Sequence, residues 1–346
     1  MSYARVHIES LGFELPPVVV TSAELESRLA PMYESLRIAP GQLEALTGIT
    51  ERRWWDKGYP LSEGAAAAAR KALAKSNVQA REVEALVYTG VCRENFEPAT
   101  ACAVASALGI SSSAYIYDIS NACLGVLNGI IDVANRIELG QIKAGLVVSC
   151  ESSRDINEIA IKKMLGDPTM AVFTHSLATL TGGSGAVAVL LTDKSWSREK
   201  RRRLISATAQ AAPQYHRLCR WGLALAPEGV AEFMTTDAVA VMKFGVELGL
   251  RTWQMFLSKV GWVREQVDKV ICHQVGSGHR DAVLRELGIA SDKDFSTFRH
   301  LGNMGTVSLP LTAALAEQRQ FLRPGDKVGF LGIGSGLNCL MLGWEW

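Results

Sequence analysis

Short runs of Val, Ile, Leu and Ala recur along the chain, and longer segments with helical periodicity separate them. Nearly all-apolar runs of this length are typical of strands that are covered on both faces. The strands predicted in this way span residues 85–91, 144–150, 186–191, 269–273 and 328–333. Their alternation with helical segments predicts a layered α/β protein.

Two segments show the clearest helical patterns. An alanine-rich run follows Ser62 and extends to Lys75, and Ser62 is the expected N-cap. A long amphipathic pattern covers Asp237 to Lys259.

Residues 152–180 fit neither the helical nor the strand period. We expect them to form an insertion that acts as a lid or as the wall of a substrate tunnel.

A Gly-Ser-Gly turn precedes an apolar strand in two places, at residues 183–185 and at residues 334–336. This faint repeat predicts two similar halves, residues 1–195 and residues 204–346. A chain of 346 residues is also long enough for two units. The basic run at 198–203 lies between them and is interpreted as a solvated connection, in preference to a phosphate or nucleic-acid patch.

Charge and cysteine usage exclude several classes of function. The formal net charge of +1 gives no global field toward nucleic acid or acidic membranes. The first residues lack a cationic start followed by an apolar segment, and the longest uncharged runs are short and glycine-rich, so neither secretion nor a membrane span is expected. Seven cysteines without a C-x-x-C pair indicate no zinc site and no disulfide framework. These features favour the cytoplasm, where single thiols can be reactive.

Cys123 lies between a short strand-like run, which stops at Ser120-Asn121, and an almost entirely apolar helical segment. Unpaired N–H groups and the positive end of the helix dipole would lower the pKa of a thiol there. A small buried hydrophobe is the equally weighted alternative. Core packing is the preferred interpretation for the cysteines in less distinctive settings, Cys92, Cys102, Cys150, Cys219 and Cys339.

His273 and Asn303 are the other candidates for chemistry. His273 ends an apolar run before a glycine-rich turn, and Asn303 lies in the glycine turn 301–305. A structural histidine and a left-handed asparagine are the alternatives. Beside a Cys nucleophile, their N–H groups would stabilise the charge on an attacked thioester carbonyl and on the enolate of a second acyl thioester.

Three motifs in this order and spacing resemble the thiolase superfamily and, within it, the ketoacyl-ACP synthase III branch: Asn121-Ala122-Cys123, Val270-Ile271-Cys272-His273-Gln274 and Gly302-Asn303-Met304-Gly305. The resemblance covers essentially the whole chain. It implies an α/β thiolase fold with two similar halves in a five-layered α/β/α/β/α sandwich, working as a homodimer. It also implies that Cys123 is the acylated nucleophile and that His273 and Asn303 form the oxyanion hole.

Two departures from the usual synthase III pattern narrow the resemblance. The catalytic histidine is followed by Gln274-Val275-Gly276-Ser277, and the C-terminal glycine turn continues Gly334-Ser335-Gly336-Leu337. Both are similar to the OleA-like head-to-head condensing enzymes of long-chain olefin and β-lactone biosynthesis. This implies a non-decarboxylative Claisen condensation of two fatty acyl-CoAs to a 2-alkyl-3-oxo acid or thioester. It implies no metal, and no cofactor beyond the coenzyme A of the substrate.

Such a condensation needs a base for the α-carbon, because no CO2 leaves to generate the carbanion. Glu97 matches the glutamate of that group, which reaches the active site of the partner subunit. Without the resemblance, an exposed loop carboxylate is the preferred interpretation. Arg52 and Trp54 are similar to an early arginine segment of the family and would suit the phosphate and adenine of CoA at the entrance. Surface or interface packing is the equal alternative.

Three other functions stay open on the sequence. Decarboxylative condensation with malonyl-ACP would use the same cysteine, histidine and asparagine without Glu97. Acyl transfer to an alcohol or amine would not need an enolate-stabilising Asn303. One subunit of a heteromeric condensing enzyme would need only some of the catalytic residues, whereas this chain holds both Cys123 and Glu97. The expected partners are therefore acyl-CoA, a second copy of the chain and downstream enzymes of lipid metabolism.

Overall fold

The computed structural model describes residues 1–196, 202–226 and 229–346. The strands are β1 (Val6–Glu14), β2 (Val18–Thr21), β3 (Glu51–Trp54), β4 (Ala85–Tyr88), β5 (Tyr115–Asp118), β6 (Ala144–Glu151), β7 (Gly185–Asp193), β8 (Arg203–Ala211), β9 (Cys219–Ala226), β10 (Gly229–Thr236), β11 (Lys269–Cys272), β12 (Lys327–Gly334) and β13 (Asn338–Glu345). The helices are α1 (Ser22–Arg28), α2 (Ala30–Leu36), α3 (Gln42–Thr47), α4 (Leu61–Ala74), α5 (Thr100–Leu108), α6 (Gly125–Glu138), α7 (Arg154–Gly166), α8 (Met170–Leu177), α9 (Ala238–Val260), α10 (Ser277–Leu287), α11 (Phe298–Leu301) and α12 (Ser308–Gln318).

The main strands pair in the order β11-β12-β13-β8-β1-β7-β6-β4-β5. A single pair, His7 with Arg203, joins β1 to β8 in the middle of this order. On each side, two antiparallel pairings are followed by a parallel one, so the same pattern occurs twice. The division near residues 195–204 stays a prediction, because most of the basic run, residues 198–201, lies outside the described residues.

The layers follow from the alternation of side chains along the strands. In β4, Val87 packs with α6 and α12 in the centre, while Leu86 packs toward α4 and α5 on the outside. In the second half, Ile271 faces the same central helices, while Val270 packs toward α9 and α10. The order helix, sheet, helix, sheet, helix is the predicted sandwich. None of the helices in the described ranges has the length and apolar character needed to cross a membrane.

The predicted N-cap of α4 is wrong. The helix begins at Leu61 after Pro60, which places Ser62 inside the first turn. The amide and the Oγ of Ser62 each bond to a carboxylate oxygen of Glu94 at 2.7 Å. A carboxylate from a later loop therefore satisfies this helix terminus, which the local sequence could not reveal.

The segment predicted as an insertion, residues 152–180, folds mainly into α7 and α8. Its apolar side chains, such as Ile161 and Phe173, share a core cluster with Leu25 and Met32 of the first helices. The β9–β10 ribbon lies against the same segment, and the Nδ1 of His175 is 3.4 Å from the carbonyl oxygen of Thr236. The segment and the ribbon contribute to the walls of the cavity described next.

Candidate active site

A cavity of about 730 Å³ contains side chains from both halves of the chain. Cys123 and Glu151 come from the first half, and His273 and Asn303 from the second. The ribbon and the start of α9 supply mainly apolar walls: Trp221, Leu223, Phe233, Met234, Val241 and Met242. An apolar cavity with a few converging polar groups is the usual form of a site for a small organic molecule. The structure thus brings Cys123, His273 and Asn303 to one place.

Cys123 sits on a tight connection between β5 and α6. The preceding residue, Ala122, has a φ of 46°, a left-handed conformation that residues other than glycine rarely adopt. At Gly125, where the helix begins, a Cβ would lie 2.1 Å from the carbonyl oxygen of Thr89. Only glycine at position 125 therefore allows the start of α6 to pack this closely against Thr89, the residue after β4. The backbone around the thiol is fixed by these contacts.

The predicted lowering of the Cys123 pKa is wrong. The first three amides after the thiol already have partners: Leu124 donates to the carbonyl of Asn121 at 2.9 Å, Gly125 to that of Ala122 at 3.3 Å, and Val126 to the Oγ1 of Thr306 at 2.7 Å. Burial instead raises the pKa of Cys123 to about 12, and the proximity of Cys219 and Glu151 adds to the effect.

His273 directly follows β11, and its backbone N–H donates to the carbonyl of Leu331 at 2.9 Å. The neighbouring Gln274 fixes the segment, because its Oε1 accepts the amides of Thr297 and Phe298 at 2.7 and 2.9 Å. Burial, and secondarily the charge of His279, lowers the pKa of His273 to about 3. The imidazole is therefore neutral at physiological pH and offers one N–H donor and one acceptor nitrogen.

Asn303 is held where the two halves meet. Its amide donates to the carbonyl of Thr181, and its carbonyl accepts from Gly183, both at 2.9 Å. The side-chain Oδ1 accepts from the amide of Gly305 at 3.1 Å. The side-chain NH2 group therefore remains available to donate a hydrogen bond to a molecule in the cavity. A Cβ on Gly183 would lie 1.9 Å from the carbonyl oxygen of Leu301. The first Gly-Ser-Gly turn thus permits the close approach that places Asn303.

Glu97 lies outside this cavity. It is exposed on the loop between β4 and α5, next to Phe96, whose side chain is 91% exposed. The cavity walls of the same chain do not include Glu97. Its delivery into the site of a partner subunit stays a prediction.

Arg52 and Trp54 do not lie at an entrance. Both are buried, because alternation along β3 turns both side chains inward. The guanidinium of Arg52 donates to the Oγ of Ser22 at 3.1 Å and to the carbonyl of Leu180 at 3.2 Å, and burial lowers its pKa to about 10. The Nε1 of Trp54 donates to the carbonyl of Gly182 at 3.2 Å. These internal bonds leave neither side chain placed to bind CoA.

Glu151 is a cavity residue that the sequence interpretation missed. It is the last residue of β6, its side chain is buried, and burial raises its pKa despite hydrogen bonds from backbone amides. An acidic residue directly after the apolar run 144–150 was the available signal. A charge at the carboxyl end of a buried strand is typical of a functional position in α/β sheets.

Other residues also line the cavity against expectation. The assignment to core packing is wrong for Cys219, which is partly exposed in the cavity wall, and for Cys102, which is exposed. Cys92 also lines the cavity, but it packs against a core cluster as expected. His279, in the first turn of α10, faces the cavity as well, and burial lowers its pKa to about 4. Arg220 is an exposed cation on the cavity wall. Within the described ranges, no three His, Cys, Asp or Glu side chains converge closely enough to hold a metal ion.

Comparison with known proteins agrees with this geometry. Residues 47–172 match the thiolase N-terminal domain, and residues 257–346 match the C-terminal domain of 3-oxoacyl-[acyl-carrier-protein (ACP)] synthase III. The chain is 62% identical to an acyl-CoA:acyl-CoA alkyltransferase of Shewanella oneidensis, over 100% of both chains. It is 33% identical to a protein of the same name from Xanthomonas campestris pv. campestris, again over 100% of both.

Solved structures give the same result. A cysteine-to-alanine variant of Xanthomonas campestris OleA has a TM-score of 0.93 at 32% identity, covering 100% of this chain and 98% of that chain. A 3-oxoacyl-(acyl carrier protein) synthase III, FabH, from Xanthomonas oryzae has the same TM-score and identity over 100% of both chains. The chain therefore belongs to the thiolase superfamily, in its ketoacyl synthase III branch and among the OleA-like condensing enzymes.

Proposed function

We propose that the protein condenses two fatty acyl-CoAs in a non-decarboxylative Claisen reaction. The observation that carries the proposal is the shared apolar cavity, in which a thiol from one half meets neutral N–H donors from the other half. Two relatives named acyl-CoA:acyl-CoA alkyltransferase support the same substrate class. The apolar walls suit alkyl chains, since burying methylene groups there is favourable.

The first step is acylation of Cys123. Its sulfur attacks the thioester carbonyl of one acyl-CoA, the bond to the CoA sulfur breaks, and the proton of the Cys123 thiol ends on CoA. Negative charge develops on the carbonyl oxygen, and the N–H groups of His273 and Asn303 are the donors available to stabilise it. Because both donors are neutral, they can serve this oxygen without a change in protonation.

The second step forms the carbon–carbon bond. The Glu97 carboxylate removes an α-proton from a second acyl-CoA, and the same two donors stabilise the enolate oxygen. The α-carbon attacks the acyl-cysteine carbonyl, the bond to the Cys123 sulfur breaks, and the thiolate regains a proton from Glu97. The product is a 2-alkyl-3-oxoacyl-CoA, and water can release the corresponding acid.

The base is proposed to come from a second copy of the chain. Glu97 is exposed and absent from the cavity of its own chain, as a residue delivered to a partner would be. Its loop leads into α5, whose first amides bond to Asp118 of β5, the strand at the edge of the sheet. A homodimer formed across this edge would bring each loop near the site of the partner subunit.

All seven cysteines are free, which supports a cytoplasmic location.

The test is to supply the purified protein with one long-chain acyl-CoA and no malonyl donor. We expect a β-keto acid, its thioester or the ketone formed from it by loss of CO2. A parallel reaction with malonyl-ACP distinguishes the decarboxylative alternative. Product that appears only with malonyl-ACP would contradict the proposal, and so would protein that stays inert until a second homologue is added.

A further inference from the structure

Carboxylates hold the loop that carries Glu97 at its start, in its middle and at its end. At its start, the amides of Val91 and Cys92 donate to Glu151 at 2.9 and 3.1 Å. In its middle, Glu94 accepts from the amide and the Oγ of Ser62, and at its end Asp118 accepts the amides of Thr100 and Ala101 at 2.9 Å each. Charged acceptors on backbone amides are strong hydrogen bonds, so the path of this exposed loop is defined.

Glu151 differs from the other two carboxylates because it is buried and lines the cavity. Its two carboxylate oxygens accept different hydrogen bonds: Oε1 accepts one from the amide of Val91, and Oε2 accepts one from the amide of Cys92. The Nε1 of Trp55 donates to the backbone carbonyl of Glu151 at 3.1 Å. The residue is therefore fixed at its backbone and at both ends of its carboxylate. With both oxygens occupied, it is better placed to orient a segment than to remove a proton.

The same carboxylate also lies beside the turn that contains Asn303. A Cβ on Gly305 would lie only 3.4 Å from the Oε1 of Glu151, and the nearby backbone amide of Thr306 acts to lower the pKa of the carboxylate. One buried side chain thus bonds to the start of the Glu97 loop and lies beside the turn after the enolate-stabilising asparagine.

We propose that Glu151 is a positioning residue that sets the Glu97 loop relative to the Asn303 turn and thereby supports the condensation step. The inference rests on the proposed function, since only condensation needs the base. Acylation of Cys123 uses the thiol and the two N–H donors, and it does not use Glu97. Misplacing the loop should therefore slow carbon–carbon bond formation more than it slows acyl-cysteine formation.

The test uses Glu151→Gln, which keeps the volume of the side chain but turns an NH2 group toward an amide donor. Acyl-cysteine formation is measured in a single turnover from protein mass, and condensation from product under the same conditions. We expect acylation to stay within about threefold of wild type and condensation to fall about tenfold or more, since an unsatisfied buried donor costs roughly 1.4 kcal/mol or more. Glu158→Gln is the control, because Glu158 is an exposed carboxylate paired with Arg28. It should change neither step.

A second variant, Glu151→Asp, keeps the charge and both acceptors one methylene further back, and it carries the test if the glutamine variant does not fold. A smaller loss that again falls on condensation is expected. Equal losses in both steps, or no loss in either, would overturn the inference while wild type remains active. Wild type that acylates Cys123 but never condenses two acyl-CoAs would instead contradict the proposed function itself.

Discussion

The backbone N–H of Val126 donates a 2.7 Å hydrogen bond to the Oγ1 of Thr306, across 180 residues of sequence. Val126 lies in the first turn of the helix after Cys123, and Thr306 lies in the turn after Asn303. This buried bond links the segment of the nucleophile in one half to the segment of the oxyanion donor in the other. The relative position of the two groups therefore depends on contact between the halves.

Replacing Thr306 with valine keeps the shape of the side chain and removes the acceptor for Val126. We expect the free energy of unfolding to fall by about 1–3 kcal/mol, the cost of an unsatisfied buried amide, and the acylation of Cys123 to slow. Denaturant unfolding and single-turnover acylation measure the two effects. Thr208→Val is the matched control, because the Oγ1 of Thr208 is buried without a hydrogen-bond partner. If both valine variants behave alike, the bond to Val126 has no special role.

The raised pKa of Cys123 predicts its reactivity toward a small alkylating agent. A thiol with a pKa of about 12 is almost entirely protonated at pH 7, so its alkylation rate should rise about tenfold per pH unit up to pH 10 without a plateau. Peptide-level mass spectrometry separates Cys123 from Cys92 and Cys219 in the same cavity, and exposed Cys102 is an internal reference. A plateau between pH 6 and pH 8 would show that the thiol is activated in the resting protein.

The lowered pKa of His273 predicts a loss of stability in acid. Its pKa is about 3 in the folded protein and 6.5 ordinarily, so the unfolded chain binds more protons between these values. Stability should therefore be fully present above pH 6.5 and decline as the pH falls toward 3, by up to about 1.4 kcal/mol per pH unit.

His273→Asn isolates this contribution, because the variant cannot take up the proton. The difference in unfolding free energy between the two proteins should change by about 1.4 kcal/mol per pH unit between pH 6 and pH 4. Chemical denaturation at several pH values measures it. If the unfolding free energies of wild type and His273→Asn changed with pH in the same way, the imidazole of His273 would take up its proton as readily in the folded state as in the unfolded chain.

Delivery of Glu97 to a partner subunit can be tested by complementation. Cys123→Ala and Glu97→Ala should each abolish condensation. In a mixed dimer, one site combines an intact Cys123 with an intact Glu97 from the other chain. Co-expression should then restore about a quarter of wild-type activity, since half of the dimers are mixed and each has one working site. Mixtures that stay inactive despite verified mixed dimers would place Glu97 in the site of its own chain.

Local pattern was sufficient for much of the fold and for part of the site. The strands around residues 144–150 and 328–333 were predictable because an apolar run of that length must be covered on both faces. Cys123 and His273 were found because each stands where an apolar run ends. Asn303 required the glycine turn around it and the resemblance to a family.

The errors concern contacts that sequence periodicity does not encode. The amide of Val126, in the helix after Cys123, bonds to Thr306 far along the chain, and burial by the surrounding fold raises the thiol pKa, so the predicted lowering failed. Ser62 is likewise not the N-cap, because its Oγ bonds to Glu94, a residue of a loop later in the chain. Arg52 was expected at an entrance because its segment is similar to an early arginine segment of the family, yet three acceptors inside the protein hold its guanidinium. The place of Glu151 in the cavity likewise depends on tertiary contacts.

The most direct test of the central claim is the intact mass of the protein during reaction with a single long-chain acyl-CoA. We predict that one acyl group adds to Cys123, that the adduct decays as the two-chain product appears, and that Cys123→Ala shows neither. Two molecules of acyl-CoA should be consumed per product without any malonyl donor. The absence of an adduct on Cys123, or an adduct that turns over only after malonyl-ACP is added, would contradict condensation of two acyl-CoAs through Cys123.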